Sequence, residues 1–294
     1  MTRNRMKNWF SKLVRSNLLY LVAKLALIPS LFVILLHQTQ IENIPKAQTL
    51  DANVTIDYES SIFTLSPLAI GMAETGYQQP YVLANDSLEQ QRVRDLKLGS
   101  VRISLVYSTP GNPHSKIVCG GSGCDTRPTG DQWIYAIRAV GAEPIVILNT
   151  TPITDAVNMV RHFSKDTNEP VKYWIIGNEP NLNGHSAREY SDYFNQNYDA
   201  MKAVDPAILI GGGATAWYDE SWLRQFLQLS GSRVDFVDFH GYPQQGQVPS
   251  DIGFLFVWSA NMGTDVNKLR SLIESIVPSR ASQVFIEVGE WSLN

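Results

Sequence analysis

Cysteine is nearly absent, histidine is scarce, and three familiar ligand-binding patterns are missing altogether. Two cysteines and five histidines occur in 294 residues. Two sulfurs cannot complete a four-ligand zinc site, and no His-x-His or His-x-x-x-His pair is present to help them. A metal-dependent centre is therefore not expected. No Gly-x-Gly-x-x-Gly turn follows an apolar run: Gly71-Met-Ala-Glu-Thr-Gly76 departs from it, and Gly211-Gly-Gly213 lacks the Lys-Ser/Thr of a phosphate loop. Nucleotide cofactors are not expected either. An excess of positive charge is also missing. The net charge is −4, and the only basic block without acids lies in residues 1–40 (Arg3, Arg5, Lys7, Lys12, Arg15 and Lys24), so the remainder is strongly acidic. Such a body is unsuited to binding nucleic acid, which requires cations to displace counterions. Apolar residues are not in short supply. At 44% of the chain they can fill a sizeable core, which excludes global disorder.

Residues 1–40 read as a targeting segment. The basic stretch precedes an apolar run from Leu18 to Leu36, interrupted by Lys24 and Pro29. Its nineteen residues could just span a bilayer, with the positive flank cytoplasmic. A signal peptide and an uncleaved membrane anchor fit equally, and either one makes the body secreted or membrane-anchored outside the cytoplasm. Membrane contact is expected only through this segment. Residues 41–60 form a polar linker, and residues 61–294 form the folded domain. Export favours a small loop disulfide between Cys119 and Cys124, with free thiols as the alternative. Asn53, Asn85 and Asn149 each begin an Asn-x-Ser/Thr triplet, relevant only in a glycosylating host.

Beyond residue 61, apolar runs alternate with amphipathic stretches. The spacing predicts strands at Pro67–Gly71, Ser100–Val106, Pro144–Asn149, Tyr173–Gly177, Ile208–Gly212, Val234–His240 and Val284–Val288. Most are apolar throughout, as parallel strands covered on both faces are. Helical stripes fill every gap. Ser87 with Gln90 and Ser186 with Glu189 form candidate capping boxes, Asp219 is a candidate N-cap, and Gly99 is placed to end the first helix. This alternation, without a nucleotide fingerprint, predicts an α/β fold of the (β/α)8 TIM-barrel type. Only seven strands are readable, so an incomplete barrel lacking strand 8 is expected. Truncation, closure by residues 50–66 and closure by a partner chain are the competing explanations.

In such a barrel the chemistry sits at the C-terminal strand ends. The fourth run ends in Trp174-Ile-Ile-Gly-Asn-Glu-Pro-Asn181 and the seventh in Ile286-Glu-Val-Gly-Glu-Trp-Ser292. Glu179 and Glu290 lie 111 residues apart, which fits three βα units of at least about 30 residues each. Two carboxylates at one barrel mouth suit glycosidic bond hydrolysis. Separation decides the outcome: roughly 5–5.5 Å for retention and roughly 6.5–9.5 Å for inversion. Glu287 competes with Glu290 for the second role. The two are three residues apart, so regular alternation puts them on opposite faces, with Glu290 expected at the mouth.

The Asn178-Glu179-Pro180 segment resembles the strand-4 signature of clan A retaining glycoside hydrolases, and Val288-Gly-Glu-Trp-Ser292 resembles their strand-7 nucleophile segment. Families 5 and 39 are the nearest, over residues 65–294. The resemblance implies Glu179 as general acid/base and Glu290 as nucleophile. It implies Arg102 as the arginine that holds the nucleophile charged, Asn178 as donor to the sugar 2-hydroxyl, and His240 and Tyr242 as groups touching nucleophile or substrate. Trp291, with Trp217 and Tyr218, could stack on sugar rings, and Glu74 is a weaker substrate-binding candidate. Asp235 and Asp238 are expected to be structural. The expected function is retaining hydrolysis of a β-linked poly- or oligosaccharide, without metal or cofactor. The sequence leaves oligomeric state and sugar identity open. The alternative is a non-catalytic carbohydrate-binding or cell-surface protein on the same scaffold. Retention of both glutamates argues against it. An unrelated metal- or phosphate-dependent barrel is a third reading.

Overall fold

Seven parallel strands follow one another around a sheet in strict chain order. The computed structural model describes residues 66–74, 82–107, 115–117, 128–149, 151–168, 170–242 and 252–291. The strands are β1 (Gly71–Glu74), β2 (Ser100–Tyr107), β4 (Glu143–Leu148), β5 (Tyr173–Ile176), β6 (Leu209–Thr215), β7 (Phe236–Gly241) and β8 (Phe285–Trp291). Each pairs in parallel with the next. A short antiparallel arm, β3 (Ser115–Ile117), pairs with the end of β2 outside that path. No hydrogen-bonded pairing between β1 and β8 exists among the described residues. The barrel-type expectation therefore holds, as a nearly closed wall of seven parallel strands. The cysteine pair and residues 1–65, which hold the targeting segment, the linker and all but the last residue of the segment 50–66, lie outside the described residues.

Among the described residues, seven helices alternate with these strands: α1 (Val82–Asn85), α2 (Ser87–Leu96), α3 (Gly130–Ala139), α4 (Ile153–Arg161), α5 (Ala187–Val204), α6 (Glu220–Ser230) and α7 (Ile252–Ile276). A π-helical turn, His162–Asp166, extends α4. Among the described residues no helix is long and apolar enough to cross a membrane. Capping by Ser186 with Glu189 and by Asp219 is as expected from the sequence. The first box is not. Asp86 caps α2 and accepts from Leu88 and Glu89, because a carboxylate one position earlier reaches both free amides. Lys97, in the left-handed region, ends that helix two residues before Gly99.

Several strand boundaries move. The segment Pro67–Ile70 forms a turn, closed by Ala69 N–H donating to Ser66, and pairing begins only at Gly71. Proline has no amide to contribute to a ladder, so the apolar run precedes the strand instead of forming it. At the other end, β8 continues to Trp291 and includes Glu290.

The main core lies between sheet and helices, with Trp133, Trp174, Phe194 and Phe226 fully buried. A smaller cluster fills the barrel floor: Ile145, Ile147, Ile175, Ala214 and Phe236, flanked by Phe285. The glycine run of β6 serves these rings. A Cβ on Gly211 would sit 2.1 Å from Phe236, and one on Gly212 would sit 2.5 Å from Phe194. Aromatic approach from both faces explains Gly211 and Gly212, while Gly213 has φ +91° and a Cβ there would lie 2.9 Å from Asp238 O.

Beyond β5, Gly177 adopts φ +84°, and a Cβ there would meet Tyr190 Cε2 at 2.9 Å. Tyr190 OH donates to Ile176 O and accepts from Gly213 N, tying β5 to β6. Gly177→Ala therefore strains the backbone and displaces this ring. We expect a loss of about 1–3 kcal/mol, read as a lower denaturant midpoint with an unchanged slope.

Candidate active site

Two bulges flank β7 and aim the side chains above the apolar floor. In β6, Gly213 pairs with Asp238 and Thr215 with Phe239, so Ala214 is the extra residue, at φ 41°. Its carbonyl accepts from Glu179 N at 2.7 Å. Glu179 itself has φ 49°, a conformation costly for a side-chain-bearing residue and found where geometry is constrained. Asn183 N–H donates to Glu179 O, and Asn183 Nδ2 donates to Asn178 O, bracing the turn from below. In β8, Phe239 pairs with Val288 and His240 with Glu290, leaving Gly289 as the extra residue.

The β8 bulge corrects the opposite-face argument for Glu287 and Glu290. Alternation requires an unbroken strand, and an inserted residue restores the same face three positions on. Three rungs result on the inner side of β7 and β8. Phe236 stacks on Phe285 at the floor, with ring centres 4.6 Å apart. Asp238 is paired with Glu287 above them, and His240 with Glu290 at the mouth. Glu290 is the mouth residue, as expected, but Glu287 lies on its face, one rung lower.

Arg102, from the middle of β2, joins the rungs and is only 4% exposed. Its Nη1 donates to Glu290 Oε1. Its Nη2 lies 3.2 Å from Asn178 Oδ1, 3.4 Å from Asp238 Oδ2 and 3.1 Å from His240 Nε2. Tyr242 OH donates to Glu290 Oε2 at 2.9 Å. Gly289 N–H donates to Asp238 Oδ1 at 2.9 Å. The floor of the cluster is sealed, since Asp238 and His240 are fully buried, while the Glu179 and Glu290 side chains keep about a fifth of their surface open.

These contacts sort the charges. Burial alone would raise the Glu290 pKa, but the Arg102 charge and the Tyr242 hydroxyl outweigh it and hold this carboxyl below its ordinary range. Burial, then the Glu290 charge, pushes the Tyr242 phenol up, so it remains a donor. For His240, burial lowers the pKa, while hydrogen bonds to Asp238 and Glu179 override it and push it up to about 9. The Arg102 contact works in the other direction, because a guanidinium N–H donates only to an unprotonated ring nitrogen. We assign the ring as neutral with its proton on Nδ1. That form donates to Glu179 Oε1 at 3.0 Å and accepts from Arg102, whereas Asp238 Oδ2 is 3.6 Å from Nε2, too far for a hydrogen bond.

Arg102, Asn178, Glu179, His240, Tyr242 and Glu290 are thus brought together. One oxygen each from Glu179 and Glu290 and one His240 nitrogen lie within 4.8 Å of one another. This trio could in principle face a cation, but Arg102, Tyr242 and His240 already donate to both carboxylates, as befits reacting acids more than ligands. Trp291 follows Glu290 and is 59% exposed, and Trp217 is 41% exposed. Tyr218 packs on Phe239 instead. Glu74 ends β1. Asp235 is structural, accepting from Ile210 N and pairing with Lys202 and Arg280. Asp238, set aside with it, belongs to the site cluster. Its position two residues before His240 was the available signal.

Residues 155–291 match the model of glycosyl hydrolases family 39, just under half of the chain. A β-xylosidase of Geobacillus stearothermophilus is 32% identical over 131 residues, 39% of this chain and 24% of that one. The fold is similar to the barrels of solved glycoside hydrolases. Among solved structures, an α-L-arabinofuranosidase of family 51 from Thermotoga petrophila superposes with TM-score 0.55 at 20% identity, covering 76% of this chain and 54% of that one. A family 39 β-xylosidase from Caulobacter crescentus gives TM-score 0.51 at 22% identity, with 76% and 54% covered. The chain thus spans about a quarter of the curated relative and about half of these solved chains.

Among the described residues, Arg102 is the guanidinium that pairs with both Asp238 and Glu290. Arg102→Met leaves a fully buried carboxylate unpaired, and we expect about 3–5 kcal/mol of destabilisation by denaturant unfolding. An undiminished midpoint would remove Arg102 from the centre of the network.

Proposed function

We propose that this chain is a retaining O-glycosyl hydrolase acting on a β-linked saccharide. The observation that carries the reading is the approach of Glu179 and Glu290 oxygens to within 4.8 Å at the ends of β5 and β8. That distance suits attack on the anomeric carbon and is short for an intervening water, which needs roughly 6.5–9.5 Å between carboxyl groups.

In this reading Glu290 attacks the anomeric carbon. Arg102 and Tyr242 hold its two oxygens, fix its direction and keep it ionised. Glu179 gives a proton to the departing glycosidic oxygen, and then takes one from the water that hydrolyses the glycosyl ester. His240 Nδ1–H orients Glu179. Asn178, whose Oδ1 is tied to Arg102, turns its amide nitrogen toward the sugar 2-hydroxyl, a contact that strengthens as oxocarbenium character develops. Trp291 and Trp217 offer exposed ring faces for sugar stacking. The relatives point to pentosides, and β-xyloside is the first substrate to try. The basic-then-apolar segment at residues 1–40 supports export of the domain, testable by protease accessibility in intact cells.

A screen of 4-nitrophenyl glycosides, including β-D-xylopyranoside and α-L-arabinofuranoside, tests the activity. NMR of the first-formed sugar anomer tests the stereochemistry. Initial release of the opposite anomer would overturn retention. Binding of xylo-oligosaccharides without turnover of any glycoside would favour the carbohydrate-binding scaffold.

A further inference from the structure

The middle rung, Asp238 beside Glu287, has no part in the chemistry above. The two residues are directly paired in register on neighbouring parallel strands and share the inner face. Neighbouring strands lie about 4.8 Å apart, so the two carboxyls are held side by side. Their surroundings differ. Asp238 is fully buried with both oxygens engaged, Oδ1 by Gly289 N–H and Oδ2 by Arg102 Nη2. Glu287 keeps partial solvent contact as a residue, but its Oε2 is closed off from solvent and has no hydrogen-bond partner. One member of the pair is therefore solvated as an anion by the protein, and the other is not.

We propose that Glu287 is a positioning residue that carries a proton in the working protein and so leaves the Arg102 charge to Asp238 and Glu290. The inference rests on the glycosidase reading for what Glu290 does, but the protonation itself does not depend on it. Arg102 Nη1 is taken by Glu290, and Nη2 is shared among Asn178, Asp238 and His240. A second ionised carboxylate on the middle rung would compete with Glu290 for the same guanidinium. Kept neutral, Glu287 fills the rung without drawing Arg102 down from the mouth.

The titratable and charged groups facing Glu287 among the described residues are Arg102 from β2, Asp238 and the neutral His240 ring from β7, and Glu290 on its own strand. Burial and then the Asp238 charge disfavour its ionised form, and Arg102 opposes them. The balance pushes its pKa up to about 8. The sign for stability follows. A carboxyl with a raised folded-state pKa contributes fully below its unfolded value near 4.5, and that contribution is lost as pH rises toward about 8. Glu287→Gln removes this dependence while keeping size and shape.

The test compares the full-length chain with its Glu287→Gln variant. The difference in melting temperature, variant minus parent, should be level below pH 4.5, rise by about 5–10 °C between pH 4.5 and 8, and level off above that. A difference independent of pH across this range overturns the proposal. On the Glu179→Gln chain, which removes the acid/base carboxyl from the spectrum, difference infrared spectra should show one protonated carboxyl stretch persisting at pH 6.5 and vanishing near pH 9. Its absence at pH 6.5 also overturns the proposal, without the Glu287 variant having to fold. The link to Glu290 is read from kcat/KM for 4-nitrophenyl β-D-xylopyranoside. Relative to its own value at pH 6, the variant should retain about tenfold more activity than the parent at pH 9. Coincident profiles refute the positioning role. A parent inactive on every glycoside refutes the glycosidase reading instead, and the melting and infrared results still decide where the proton resides.

Discussion

Glu290→Ala is expected to lower kcat on aryl glycosides by roughly four or more powers of ten, the scale of removing a covalent nucleophile. The fold should persist, because the lost side chain leaves Arg102 paired with Asp238 and opens a cavity that water can enter from the mouth. The loss should be of a specific kind. Azide is small enough to occupy the vacated space, and attacks the same face of the sugar that Glu290 attacked. With a 2,4-dinitrophenyl glycoside and added azide, activity should return, and the product should be a glycosyl azide of inverted configuration. Retention in that product, or no loss in the variant, would take the nucleophile role from Glu290. Glu287 would then be the next carboxyl to test, since the bulge puts it on the same inner face.

Glu179→Ala should give the complementary pattern. A general acid contributes about 10²–10⁴-fold, and only to the extent that the leaving group needs a proton. The variant should therefore lose about a thousandfold on an alkyl glycoside or xylo-oligosaccharide, yet retain much of the first step on a dinitrophenyl glycoside. Its glycosyl-enzyme should accumulate, because water is no longer deprotonated, and KM for the activated substrate should fall with kcat. Azide should accelerate turnover, giving a product of retained configuration. The opposite stereochemistry of the two azide products separates the two carboxylates by role without relying on the size of either effect. Equal losses on good and poor leaving groups would exclude Glu179 as the proton donor.

The pH profile constrains both assignments. Arg102 and Tyr242 hold the Glu290 carboxyl below its ordinary range. The acid limb of kcat/KM should accordingly fall below that range, and move upward in Tyr242→Phe, which removes one of the stabilising hydrogen bonds.

Much of this centre is legible in residue spacing. Glu179 and Glu290 each follow an apolar run in a chain that alternates strands and helices, and such ends of parallel strands converge. Asp219 and Ser186 with Glu189 mark helix starts because capping is a local hydrogen-bonding requirement. Where reasoning from spacing failed, the cause was equally physical. Pro67–Ile70 is apolar enough for a strand but lacks a partner until Gly71. Ser87 is a good cap, yet Asp86, one residue earlier, stands two and three positions before the free amides of Leu88 and Glu89, the spacing a capping side chain needs. The inner-face position of Glu287 depends on Gly289, and a single inserted residue leaves no periodic trace in a seven-residue strand.

Local chemistry along the chain decided the order of strands and helices, the apolar faces they bury, and which two carboxylates stand at strand ends. These follow from periodicity and capping, whose range is a few residues. Contacts between remote strands decided the rest: the bulges at Ala214 and Gly289, the left-handed turn at Glu179, and the reach of Arg102 from β2 to groups on β7 and β8. Whether a carboxyl is ionised depends on which charges and amides lie within a few ångströms of it, and those neighbours exist only once the sheet has curved to bring its strands together.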